Sequence, residues 1–112
     1  MNDLLLVICN TPDKESAHKL ARLLLAEKLC ACVNILPQIE SLYTWEGKLE
    51  QANEVTMLIK TTKACYQQLQ NTVKTNHPYE IPEIIAVDIA DGSPEYLNWI
   101  VNSTTIKCTL SE

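Results

Sequence analysis

The sequence predicts an α+β domain of two layers, an antiparallel sheet of four strands with helices on one face. Three observations predict it. Period-two apolar stretches alternate with amphipathic helical periodicity in the order β-α-β-β-α-β-α. The first three elements and the next three share one layout. A turn signal, Glu46-Gly47, joins the two middle strands directly.

Each element follows from its residues. Leu4 to Cys9 is a continuous apolar run, the pattern of a strand buried on both faces. Asn10-Thr11-Pro12-Asp13 breaks it and opens a helix, capped by Thr11 with Pro12 at the first position or by Asp13 itself. Ala17, Leu20, Ala21, Leu24, Leu25 and Leu29 then recur at helical spacing. Next, Ala31, Val33, Ile35, Ile39, Tyr43 and Trp45 alternate on one strand face, with a bulge or edge at Pro37 because proline cannot donate to a ladder. The return strand sets Val55, Met57 and Ile59 on one face and Glu54, Thr56, Leu58 and Lys60 on the other. Ala64 to Asn76 is a second helix with Cys65, Leu69 and Val73 in one stripe. His77-Pro78-Tyr79-Glu80-Ile81-Pro82 is a stiff loop, since each proline holds its predecessor extended. Ile84 to Ile89 is a strand, and Ser93-Pro94 starts a short helix carrying Tyr96, Trp99 and Ile100. A polar tail follows from Ser103, with a short strand open to it at Ile106 and Leu110. Two βαβ units joined by a hairpin make the split-βαβ, ferredoxin-like sandwich. A single domain is expected over 1–112, with its core in 4–102 and a loose tail in 103–112.

Two features predict an oligomer. Hairpin arms of about 31–45 and 48–61 would each span roughly 45–50 Å at ~3.3 Å per residue, against a radius of gyration of ~13 Å for a compact domain of this size. The hairpin should therefore overhang its own sheet. The first strand is also apolar on the sheet face that the helices leave bare, so something should cover it.

Composition narrows the function. Nine basic residues against 14 acidic give a net charge of −5, with Arg22 the single arginine, a poor match for a phosphate backbone. Two glycines, Gly47 and Gly92, cannot build a phosphate-binding glycine loop. Five cysteines at irregular spacing without CxxC are not a disulfide framework or a zinc ribbon, and they read as reduced thiols of a cytoplasmic protein. Cys65 and Cys108 read as packed core thiols, Cys30 and Cys32 as two thiols sharing a strand face, and His18 as solvated surface. The apolar run at the N-terminus is too short for a signal core or a membrane span.

Known chemistries of this fold can be tested in turn. A copper chaperone needs two cysteines after the first strand, and Cys9-Asn10-Thr11-Pro12 supplies one. An RNA-recognition module needs aromatics on its central strands and a basic surface. Iron–sulfur ferredoxins need clustered cysteines, and an acylphosphatase-like enzyme needs an arginine loop. No titratable pair at a motif spacing declares a nucleophile and base, so no enzyme is expected. What remains is polar residues at element ends: Cys9, Lys60, His77, Tyr79 and Glu83. In a split-βαβ sheet the first and third strands are expected to be parallel neighbours, so Cys9 and Lys60 are expected at one sheet edge.

Four segments then carry a resemblance: Leu25 to Asn34, Tyr43-Thr44-Trp45-Glu46-Gly47-Lys48-Leu49-Glu50, Ile59-Lys60-Thr61-Thr62 and His77 to Glu83. Over Leu4 to Asn102 the chain resembles the CutA family of divalent-ion-tolerance proteins. The resemblance implies a homotrimer of ferredoxin-like subunits with long hairpins wrapping neighbours, similar to PII-type signalling proteins. It implies copper or other divalent-metal binding, with Cys9 and His77 in the ligand positions. The family's first histidine of a His-His pair falls on Asn76, a hard, weak donor for Cu(I). Cys9 and His77 alone suit two-coordinate Cu(I) better than Zn2+, which takes four ligands. The alternatives are a PII-like sensor holding a small anionic effector between subunits, at Lys60, Tyr79, Glu83 and Glu54, or a structural trimer acting through a protein partner. Tyr43 and Trp45 are expected to pack on a neighbouring chain.

Overall fold

The computed structural model describes residues 3–104 and Cys108. The elements are β1 (Leu4–Thr11), α1 (Lys14–Ala26), β2 (Cys32–Trp45), β3 (Lys48–Thr62), α2 (Lys63–Asn76), β4 (Ile84–Asp88) and α3 (Pro94–Ser103), in the predicted order. The sheet runs β2-β3-β1-β4 with every neighbouring pair antiparallel. The expected short strand at Ile106 and Leu110 lies outside the described residues.

One expectation is corrected at once. β1 and β3 are neighbours, but antiparallel: Cys9 faces Met57, and Lys60 faces Leu6. The α1 crossover makes β1 and β2 run the same way with one strand between them. The hairpin return, β3, fills that gap running the opposite way. Cys9 and Lys60 therefore sit at different levels of the sheet.

Local chemistry sets the element ends. Asp13, the second of the two expected caps, accepts the Ser16 backbone N–H at the start of α1, and that bond holds its carboxyl below the usual range. Thr62 caps α2 through the Cys65 N–H, and Ser93 caps α3 through the Tyr96 N–H. At the hairpin, Trp45 pairs with Lys48 around Glu46 (φ 51°) and Gly47 (φ 81°). This left-handed pair is the turn whose twist matches the strands.

The bulge falls where Pro37 predicts it, between Leu36 and Ile39, with Gln38 at φ 61°. It has a consequence that strict alternation misses. Residues directly opposite in an antiparallel pair share a face. Val33 and Ile35 lie opposite Ile59 and Met57, on the helix side. Ile39 lies opposite Glu54, Tyr43 opposite Glu50 and Trp45 opposite Lys48. One extra residue thus moves Ile39, Tyr43 and Trp45 to the other side from Val33 and Ile35, correcting the single face predicted for all of them.

The main core lies between the helices and the odd-numbered residues of the central strands. Leu5, Val7, Cys9, Val55, Met57 and Ile59 meet Leu20 and Leu24 of α1 and Leu69 and Val73 of α2. Leu25, expected on this face, is 41% exposed. Ile100 of α3 packs with Leu4 and Ala31 in a second cluster. On the opposite sheet face, Leu36, Ile85 and Val87 are exposed. The β1 ladder covers β3 only from Val55 to Thr62, so β3 from Lys48 to Glu54 and its β2 partners form the predicted overhang.

The cysteines depart from expectation. Cys65 and Cys108 are both buried, as read, but they are joined in a disulfide 43 residues apart in sequence. Sequence spacing alone could not pair them, because the partners come from α2 and the C-terminal segment. Cys30 and Cys32 do not share a face. Cys30 enters the core on the helix side, and burial, followed by Cys32, pushes its thiol up to about 12. Cys32 is half-buried opposite Lys60. The chain has not yet entered regular strand geometry at Cys30 and Ala31, so the period of two does not hold there.

Candidate metal and ligand site

The site forms where β1 runs out. The β1–β4 ladder ends at the Cys9–Ile84 pair. One residue on, the Asn10 carbonyl accepts a hydrogen bond from His77 Nε2 at 2.7 Å. His77 Nδ1 accepts the Tyr79 backbone N–H at 3.0 Å, which assigns the proton to Nε2. Pro78 between them keeps His77 extended (ψ 140°) at the end of α2, so the imidazole turns back toward β1.

Cys9 lies on the helix side, fully buried, and its Sγ approaches the same Asn10 carbonyl at 3.8 Å. Burial first, then the charges of Glu83 and Glu54, push its thiol up to about 12. At neutral pH it is a protonated core thiol.

The other sheet face carries a polar chain. The Asn10 amide donates to Glu83 Oε1 at 3.1 Å and its Oδ1 accepts from the Thr56 hydroxyl at 2.7 Å. The Tyr79 hydroxyl donates to Glu54 Oε2 at 2.8 Å. Burial and that carboxylate raise the tyrosine above its ordinary range. Asn10, Thr56 and Glu54 are each 8% exposed. Beside them opens a recess of about 490 Å3. Tyr43 and Trp45 supply its hairpin wall, Glu50 and Glu54 line it from β3, and Tyr79, Glu80 and Glu83 line it from the loop before β4.

The structure therefore gathers Cys9, His77, Tyr79, Glu83 and Glu54, and brings Tyr43 and Trp45 to the same neighbourhood. It leaves Lys60 out. The Lys60 ammonium bonds Asn34 Oδ1 and lies 4.0 Å from Cys32 Sγ, and it does not line the recess. The antiparallel pairing of β1 with β3 is the reason. Within the single chain this recess is lined by the carboxylates of Glu50, Glu54, Glu80 and Glu83 and by no basic side chain. Asn76 is exposed, and its amide is spent on the Thr72 carbonyl. Sequence reading missed Asn10 and Thr56. Asn10 reads as a strand breaker, yet it continues β1. The available signal was a polar residue in phase with Leu6 and Ile8, facing the polar phase of β3.

A ferredoxin-like sheet with an overhanging hairpin and a polar knot at the end of β1 defines a class of small α+β proteins. Comparison narrows it. The sequence profile of the CutA1 divalent ion tolerance protein family matches residues 5–103, and the chain belongs to that family. It is 47% identical over 94 residues to the divalent-cation tolerance protein CutA of Citrobacter koseri, covering 84% of this chain and 82% of that one. It is 45% identical over 100 residues to the chloroplastic protein CutA of Arabidopsis thaliana, covering 89% of this chain. The chain spans 55% of the length of that plant relative. The crystal structure of CutA1 from Oryza sativa superposes with a TM-score of 0.90 at 44% identity, covering 92% of this chain and 94% of that one. Among the described residues, no helix is long and apolar enough to cross a membrane.

Proposed function

We propose that the protein serves metal tolerance as a non-enzymatic homotrimer that takes up a soft metal ion, Cu(I) by preference, between Cys9 and His77. The observation that carries this reading is the convergence of Cys9 Sγ and His77 Nε2 on one carbonyl, that of Asn10. A thiolate with an imidazole is a soft donor pair. Among the described residues no three His, Cys, Asp or Glu side chains gather as a metal-holding group, which favours an ion content with two ligands over Zn2+.

Uptake has two protonic requirements. Cys9 must lose a proton that burial holds up to about 12. His77 must free Nε2 by moving its proton to Nδ1, giving up the Tyr79 N–H bond. The tautomer shift releases no proton, whereas the thiol releases one. Apparent Cu(I) affinity should therefore rise about tenfold per pH unit near neutrality. The test is a Cu(I) competition titration against a chromophoric chelator under reducing conditions, on wild type, Cys9→Ser, His77→Ala and Cys32→Ser. Weakening in the first two variants, with Cys32→Ser unchanged, is expected. Binding that survives both substitutions would refute the site.

The trimer reading rests on the overhanging hairpin, where Leu42 and Leu49 are 67% and 78% exposed, and on the apolar face of Leu36, Ile85 and Val87. Sedimentation equilibrium should return three times the 12.6 kDa chain mass. A concentration-independent monomer overturns it. The Cys65–Cys108 bond favours a compartment more oxidising than the reduced cytoplasm expected from cysteine spacing.

A further inference from the structure

Asn10 stands at the joint between the two faces of the sheet. The Ile89 N–H donates to the Leu4 carbonyl, and the β1–β4 register runs unbroken from Leu5 to Cys9. An antiparallel ladder bonds every second residue, so the carbonyls of Leu4, Leu6, Ile8 and Asn10 face β4. The ladder stops at the Cys9–Ile84 pair, and His77 Nε2 supplies the donor for the Asn10 carbonyl instead. Cys9 Sγ lies on the same oxygen. Both donors of the proposed metal pair are thus turned onto one backbone atom.

The Asn10 side chain fixes where that atom lies. Its Oδ1 accepts from the Thr56 hydroxyl at 2.7 Å and its Nδ2 donates to Glu83 Oε1 at 3.1 Å. Asn10 and Thr56 are both buried. The two bonds run to different parts of the sheet, to β3 and to the residue before β4. Beyond the carbonyl, the Thr11 hydroxyl donates to the Asp13 carbonyl at 2.9 Å. The peptide that carries the carbonyl is therefore anchored at both ends. Residue 10 must accept and donate from one short side chain. An amide does both, whereas a carboxylate or an apolar group does not.

We infer that Asn10, clamped by Thr56 and Glu83 on one face of the sheet, is the positioning residue for His77, holding the imidazole in its Nε2-protonated tautomer and keeping both donors of the proposed pair on the Asn10 carbonyl. Neither Asn10 nor Thr56 touches the ion in this arrangement. They act through the carbonyl, which competes with an ion for Cys9 Sγ and His77 Nε2 alike. A looser clamp weakens that competitor. The part of the inference that concerns metal rests on the uptake proposed at Cys9 and His77. The part that concerns the tautomer stands without it.

The test is 15N NMR of the imidazoles in chelator-treated protein at about pH 8, where an ordinary imidazole is neutral. Protonated and bare ring nitrogens differ widely in shift, so the tautomer is read directly. His77 is expected as a single Nε2-protonated form. His18, the other histidine and exposed, reports a free ring in the same spectrum. Thr56→Val removes the hydroxyl, keeps the shape and leaves Asn10 Oδ1 without its donor. It should move the His77 tautomer ratio about 3- to 10-fold toward the Nδ1-protonated form. Thr56→Ser keeps a hydroxyl and should restore the wild-type signature. Asn10→Asp keeps the acceptor for Thr56 but sets a carboxylate against Glu83, and should move the ratio further. In chelator competition, Thr56→Val should bind Cu(I) about 3- to 10-fold more tightly than the wild type. A His77 signature unchanged in both Thr56→Val and Asn10→Asp would overturn the inference. So would Thr56→Ser behaving like Thr56→Val, or Cu(I) binding that weakens in a folded Thr56→Val. A tautomer shift with no Cu(I) bound by any of these proteins would support the hold of Asn10 on His77 and refute the metal reading alone.

Discussion

Cys65→Ala or Cys108→Ala is expected to lower the free energy of unfolding by about 2–4 kcal/mol, and a reductant should lower the wild type to the same level. The cross-link joins residues 43 apart, from the core-facing stripe of α2 to the C-terminal segment. Closing a loop of that length removes enough unfolded-chain entropy to stabilise by about 4 kcal/mol before any strain in the folded state. Both thiols are fully buried, so alanine is a better replacement than serine, which would place a hydroxyl in the core. Urea unfolding at one fixed protein concentration is the measurement, because an oligomer's stability depends on concentration. Equal midpoints for the oxidised wild type and both variants would mean that the bond is not formed in solution.

The second large effect is expected at His77. His77→Ala should destabilise by about 2–4 kcal/mol, because two backbone groups lose partners together: the Asn10 carbonyl and the Tyr79 N–H. Each buried polar group left unsatisfied costs about 1–3 kcal/mol. The tilted ring contact with Tyr79, centroids 4.9 Å apart, is lost as well. A stability change alone would not identify the cause. Hydrogen exchange adds the discriminating readout, since the Tyr79 amide should pass from protected to fast-exchanging while amides of β1 and β3 shift only with global stability. His77→Gln restores a donor near the carbonyl and should recover part of the loss. If His77→Ala leaves the Tyr79 amide protected, the imidazole is not the brace that the geometry makes it. The same variant is expected to lose Cu(I), so the exchange result also tells whether lost metal reflects a lost ligand or a loosened loop.

Much of the fold was legible because it rests on local pattern. The apolar run of β1, the stripe of Ala17, Leu20, Ala21 and Leu24, the left-handed pair Glu46-Gly47 and the proline bulge each act within a few residues. The site was half legible. Cys9, His77, Tyr79 and Glu83 read as polar residues at element ends and Glu54 as a strand-face neighbour of Lys60, and the fold brings these five toward the end of β1. Lys60 was grouped with them through a wrong strand direction. Asn10, which bonds His77, Cys9, Thr56 and Glu83, was passed over as a breaker.

By itself the sequence determined the order of the elements, the faces of the first strand and of the return strand, the place of the turn and bulge, and the family. Those depend on side-chain periodicity and on the backbone limits of proline and glycine, which short range decides. Only the tertiary structure decided which strands run against each other, which thiols meet, and which side of the hairpin Tyr43 and Trp45 occupy. Pairing brings together residues far apart in the chain. One inserted residue at a bulge, or one strand running the other way, exchanges whole faces without leaving a local trace. The same global geometry brings the carboxylates of β3 and of the loop before β4 to one recess.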